Sequence, residues 1–147
     1  MKTYQLTILT LAACFAAATV AFAEDTKDAA KDAKIDAKLP PASTKAGITY
    51  ATDIKPIFDA SCVKCHSGDR AKARLHMDTL EGVLKGTKEG KVVVAGDPEK
   101  SWLVKSVAHL NKDPMGWMPP PHNKAGIKDL TPDQIGLIIG WIKQGAK

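Results

Sequence analysis

Two of the chain's three cysteines and one of its four histidines fall within the pentapeptide CVKCH, at Cys62, Cys65 and His66. Two thiols about one helical turn apart, followed at once by an imidazole, suit only a few chemistries. They can carry a porphyrin on two thioether bonds with the histidine beneath its iron, take part in a zinc site, cycle as a redox dithiol, or close a plain disulfide. A structural zinc site wants four ligands, usually as a second Cys or His pair, and no second pair here has suitable spacing. A thioredoxin-like dithiol belongs in a βαβ setting, and a plain disulfide gives His66 no part. The first reading is therefore one covalently attached haem c, with thioethers from Cys62 and Cys65 and His66 as the proximal iron ligand.

The group on the far side of the iron decides what such a site does. The candidates are Met77, Met115, Met118, His76, His109 and His122. Met118 leads, because Pro119 biases it away from helical backbone angles and the run MPPP makes a stiff, extended loop. A stiff loop keeps a weak thioether in place without relying on its bond strength. The ordinary reading of the others is core filler for Met77 and surface or helix-end positions for His76, His109 and His122. With both axial positions filled there is no place for a substrate, and the expected activity is outer-sphere transfer of single electrons, not enzymatic turnover. An open sixth position would instead make a ligand-binding or peroxide-reactive haem protein. A third possibility is a haem subunit docked onto a separate enzyme.

The elements that must position these residues read as helices. Asp53 precedes the apolar face Ile54, Ile57 and Phe58, with Pro56 in the first turn, which predicts a short helix running into Cys62. Asp78 and Glu81 form a capping pair for a short helix with Leu80 and Leu84, closed by Gly86. Asp97 and Pro98 open another, carrying Trp102, Leu103, Val107 and Leu110. Thr131, Pro132 and Gln134 start the strongest, with Ile135, Ile138, Ile139, Trp141 and Ile142 along it and Gly145 at its end. Val92–Val94 alone look like a strand, and one strand has nothing to pair with. The fold class is all-α.

Upstream, Lys2, the uncharged stretch from Tyr4 to Ala23 and the small residues Ala21 and Ala23 have the pattern of a secretory signal peptide over 1–23, cleaved after Ala23. The expected location is periplasmic. Membrane contact would arise only if this segment were retained or Cys14, in LAAC, were lipidated. Residues 24–46 contain five acids and five lysines with little to bury, and read as a flexible charged linker. A single domain over 47–147 follows, with 15 Lys or Arg against 11 Asp or Glu. Lys64, Arg70, Lys72 and Arg74 cluster about the attachment motif, which suits redox partner proteins with an acidic docking patch. Nucleic acid is a poor partner, since no basic and aromatic residues interleave.

ARLHMDTLEGVLKG, VVVAGDPEKSWLV, MPPP and LTPDQIGLIIGWIKQGAK, together with CVKCH, resemble the planctomycete-type cytochrome c domain, a branch of the mono-haem cytochrome c superfamily, from Tyr50 to Ala146. CxxCH is common to c-type cytochromes; VxGDPxxSxL, MPP and a terminal WIxxGA are more specific. The resemblance implies thioethers on Cys62 and Cys65, proximal His66, distal Met118, and a small domain wrapped around the haem with N- and C-terminal helices crossing beside it. That crossing would pack Ile54, Ile57 and Phe58 against Ile138, Trp141 and Ile142. One departure stands out. Many small cytochromes orient the proximal imidazole with the carbonyl of a proline about a dozen residues on, and no proline lies between His66 and Pro98.

Overall fold

The computed structural model describes residues 39–147, so the leader expected over 1–23 and the expected linker up to residue 38 lie outside the described residues. Four α-helices carry the rest: α1 (Lys55–Ser61), α2 (Leu80–Lys85), α3 (Trp102–Val107) and α4 (Pro132–Lys143). A π-helical turn, Tyr50–Ile54, leads without a break into α1, and short 3-10 turns occur at Lys72–Arg74 and Pro114–Gly116. Among the described residues the only β feature is an isolated bridge between Thr87 and Gly90. Val92 and Val93 are buried but unpaired as a strand; the Val92 carbonyl instead accepts from Leu103 N–H at 2.9 Å, at the start of α3. No helix among the described residues is long and apolar enough to cross a membrane.

α4 forms as its sequence predicts, because all its start signals are local. Thr131 Oγ1 accepts from Gln134 N–H and Gln134 Oε1 accepts from Thr131 N–H, a complete capping box with Pro132 in the first turn. The other three starts are displaced from expectation. The first helical segment begins at Tyr50, capped by the extended Thr49, whose hydroxyl accepts from Thr52 N–H; Asp53 is inside the turn and accepts from Thr49 N–H at 3.1 Å. α2 is capped by Thr79, whose hydroxyl accepts from Gly82 N–H at 3.1 Å, and not by Asp78, whose Oδ1 has no hydrogen-bond partner. Asp97 opens a turn rather than a helix. Ser101 Oγ donates to Asp97 O at 2.8 Å and accepts from Val94 N–H at 2.9 Å, and α3 starts only after it. Leu110 falls past the end of α3. Gly86 closes α2 at φ 81°, where a Cβ would stand 2.4 Å from Gly90 O.

The core joins the N-terminal helical segment to α4. Phe58 meets Trp141 edge-on with ring centroids 6.4 Å apart, and Tyr50 lies 6.1 Å from each ring. Ile54, Ile138 and Ile142 are fully buried around them. Each such side chain contributes about 1.5–3 kcal/mol on burial, and aromatic pairs add about 0.5–1.5 kcal/mol. The chain end is held to the same cluster: Tyr50 N–H and Trp141 Nε1 both donate to Lys147 O, at 3.1 and 2.9 Å.

Residues 39–46, which the sequence places at the end of the linker, lie against α4. Leu39 and Ala42 pack on the core, and Ser43 N–H donates to Gly136 O at 2.8 Å. A Cβ on Gly136 would stand 2.7 Å from Pro41 O, and one on Gly140 3.1 Å from Ser43 O. Two glycines four residues apart on a helix of isoleucines thus open a groove for the incoming chain. Lys45 pairs with Asp53.

Candidate haem site

α1 delivers the chain to CVKCH and the motif curls round a single carbonyl. Cys62 N–H donates to Phe58 O at 2.7 Å, and both Cys65 N–H and His66 N–H donate to Cys62 O, at 3.0 and 2.9 Å. This turn sets Cys62, Cys65 and His66 on the wall of one cavity of about 540 Å³, within the roughly 300–1,000 Å³ of cofactor sites. Met118 comes from a separate segment and lines the same cavity. Between these groups the lining is largely apolar: Leu75, Met77, Val92, Leu103, Val107 and Leu130 all face it. Of the other candidates, Met77 is 2% exposed and lines the cavity with its apolar neighbours. Met115 is 83% exposed and away from the lining. His76 is exposed and also away from it. His109 stacks on Trp117, and His122 lies on the cavity rim.

His66 Nδ1 is 3.1 Å from the backbone carbonyl of Lys72. A carbonyl only accepts, so Nδ1 carries the proton and Nε2 keeps its lone pair for a metal. This supplies what the missing proline does not. The carbonyl is brought there by a loop in which Ala73 and Arg74 both adopt φ 55°, and the loop is tied back at both ends: Lys72 N–H donates to Cys65 O at 3.0 Å, and Met77 N–H to His66 O at 2.8 Å. No side-chain type marks a carbonyl acceptor, so sequence reading had no signal for it. It also missed Trp102, which is 52% exposed on α3 yet lines the cavity, and the wall from Pro119 to Leu130.

The residues fit a covalently held porphyrin. Both cysteines are free thiols, the imidazole is buried with one nitrogen committed to the backbone, and a partly buried thioether shares an apolar cavity with them. Among the described residues no group of three or more His, Cys, Asp or Glu comes together as a metal-ion set, so the zinc alternative has no ligand shell there. Burial, with Cys65 beside it, pushes the Cys62 thiol up to about 12. Burial also holds the His66 imidazole below its ordinary value, while its bond to the Lys72 carbonyl works the other way.

These shifts set the pH profile of the haem-free chain. His66 has a lower pKa folded than unfolded, so its contribution is present above about pH 6.5 and lost as pH falls through the folded value. Cys62 runs from an ordinary 9.0 up to about 12, so the unfolded chain releases its proton first and stability falls as pH rises above 9. Tyr50, raised by burial from 10.0 to about 12, adds to that alkaline loss. Urea unfolding should therefore show a plateau from about pH 6.5 to 9. His66→Gln should reduce the loss that sets in below about pH 6.5. It should leave the separate loss below about pH 4 from Asp53 and Asp97, whose carboxyls are held below their ordinary value by hydrogen bonds from Lys45 and Lys100. An unchanged onset in that variant would refute the assignment.

Residues 62–122 match the family model Planctomycete cytochrome C. That span, from the first motif cysteine to His122, holds both cysteines of the motif, His66 and Met118, and is similar to the planctomycete cytochrome c family. Comparison with curated proteins and with solved structures found no match.

Proposed function

We propose that this chain is a periplasmic mono-haem c-type cytochrome that carries single electrons between redox partners, with His66 and Met118 as axial ligands. The observation that carries the reading is the convergence of two free thiols, a buried imidazole and a thioether on one apolar cavity. When bound there, haem c supplies a one-electron ferric/ferrous couple. The residues do the rest. Cys62 and Cys65, both free thiols, would hold haem c through two thioether bonds, and addition of a thiol across a vinyl group needs no oxidant. The Lys72 carbonyl holds the His66 ring by Nδ1 and leaves Nε2 to the iron. Met118, which lines the same cavity, would be the second axial ligand and so leave no open iron position for a substrate. Leu75, Val92, Leu103 and Leu130 exclude water and so reduce reorganisation around a change of charge. The Phe58–Trp141 ring contact supports crossing of the N- and C-terminal helices beside the haem.

Partner choice falls to the surface around the attachment motif. Lys64, Arg70, Lys72 and Arg74 are all exposed there, and Lys72 reaches the cavity wall. A basic ring at a haem edge raises association rates with an acidic partner without demanding tight binding. The test is the second-order rate of electron transfer to an acidic redox protein as salt is raised. The Debye length shrinks from about 30 Å at 0.01 M to about 3 Å at 1 M, so the rate should fall by roughly tenfold or more, and reversing Lys64 and Arg70 to glutamate should remove most of that slope. No electron transfer at any salt would refute the carrier reading; transfer with a flat salt curve would refute the docking ring alone.

A further inference from the structure

Met118 is the last backbone donor before three prolines. Its N–H donates to Ser106 O at 3.0 Å, and Pro119, Pro120 and Pro121 have no N–H to add. Whatever else holds the thioether in place must flank this run, and one asparagine stands on each side. Asn111 Nδ2 donates to Ser106 Oγ at 3.1 Å and to Gly116 O at 3.0 Å. The Gly116 carbonyl can only accept, which fixes the orientation of the amide. The Asn111 main-chain carbonyl accepts from Trp117 Nε1 at 2.9 Å, and Trp117 is stacked on His109 with centroids 4.9 Å apart. Asn111 therefore grips the residue that holds Met118 N–H, Ser106, and the two residues before Met118. Ser106 is itself buried.

Downstream, Asn123 does the corresponding work. Its Nδ2 donates to Pro120 O at 3.2 Å and to Ile127 O at 2.9 Å, and its Oδ1 accepts from Ile127 N–H at 2.8 Å. The side chain thus closes 120–127 into a ring that forms part of the cavity wall.

We infer that Asn111 and Asn123 are the positioning residues of Met118, holding the two ends of its loop so that the thioether stays at the cavity independently of its bond to iron. The inference rests on Met118 being the distal ligand. The loop between the two asparagines has little regular structure of its own, only the 3-10 turn Pro114–Gly116. Removing an amide therefore frees the loop while leaving the core beneath it in place.

The experiment uses the haem-loaded full chain and its Asn111→Asp, Asn111→Ala, Asn123→Asp and Met118→Ala variants. The readouts are the affinity of the oxidised protein for added imidazole and its sulfur–iron charge-transfer absorption. Aspartate keeps the shape but has no hydrogen to donate to Gly116 O or Pro120 O. Losing two neutral hydrogen bonds should raise imidazole affinity about tenfold to thirtyfold and weaken the absorption, whereas loss of a merely structural contact would lower unfolding midpoints and leave both unchanged. Wild-type affinity and absorption in the asparagine variants, with Met118→Ala altered, overturns the inference alone. An unaltered Met118→Ala overturns the ligand assignment beneath it. Wild-type protein supplies a test that needs no substitution: Met118 N–H should exchange with solvent about tenfold more slowly than Lys124 N–H, and equal rates would contradict the proposed hold.

Discussion

Replacing Met118 by alanine is expected to open the sixth coordination position and lower the reduction potential, while Met115→Ala leaves both unchanged. The two methionines are three residues apart and their settings differ. Met118 is partly buried, packs against the core and lines the cavity; Met115 is 83% exposed on a 3-10 turn outside it. A thioether favours ferrous over ferric iron, which is why Met/His ligation gives higher potentials. If that preference is about a hundredfold to a thousandfold, its loss lowers the potential by about 120–180 mV at 59 mV per tenfold. The oxidised variant should also lose its sulfur–iron charge-transfer absorption and bind small anions. Equal effects from the two substitutions, or none from Met118→Ala, would refute the ligand assignment.

Removing residues 1–23 is expected to abolish haem attachment. Attachment requires Cys62 and Cys65 as reduced thiols presented outside the cytoplasm. If the apolar stretch from Tyr4 to Ala23 is the export signal proposed for it, a chain without it stays where that presentation does not occur. The shortened protein should accumulate without covalent haem, and after extraction with acidified organic solvent it should retain no more haem than a Cys62→Ala, Cys65→Ala control. The full-length chain should keep its haem through the same extraction. Normal covalent haem on the cytoplasmic product would contradict the export reading.

The parts of this fold that could be read in advance are those whose signals lie within one turn. Thr131, Pro132 and Gln134 specify the start of α4 because both capping bonds close within three residues, and the isoleucine stripe with Trp141 specifies its buried face. The displaced caps at Thr49 and Thr79 show the limit of that reasoning. Asp53 and Asp78 are as good cap formers by type, and only the extended backbone at the neighbouring threonines decides between them. Gly136 and Gly140 did carry a signal for the chain at Pro41–Ser43, a small-residue groove on a helix, but its occupant is 90 or more residues away and almost featureless. At the site, Cys62, Cys65, His66 and Met118 stand out in the sequence by type and by the runs CVKCH and MPPP, and the structure brings all four to one cavity. The Lys72 carbonyl does not stand out, because every residue has one and only the fold selects it. Asn111 and Asn123 carry no signal in the sequence for the carbonyls they reach, which only the fold brings close.

The central claim is one covalently attached haem c cycling by one electron with both axial positions filled. A spectroelectrochemical titration of the exported full-length protein tests it most directly. A low-spin c-type spectrum in both states and a single Nernstian one-electron wave are expected. A high-spin spectrum, more than one wave, or no haem absorbance on the exported chain would contradict it.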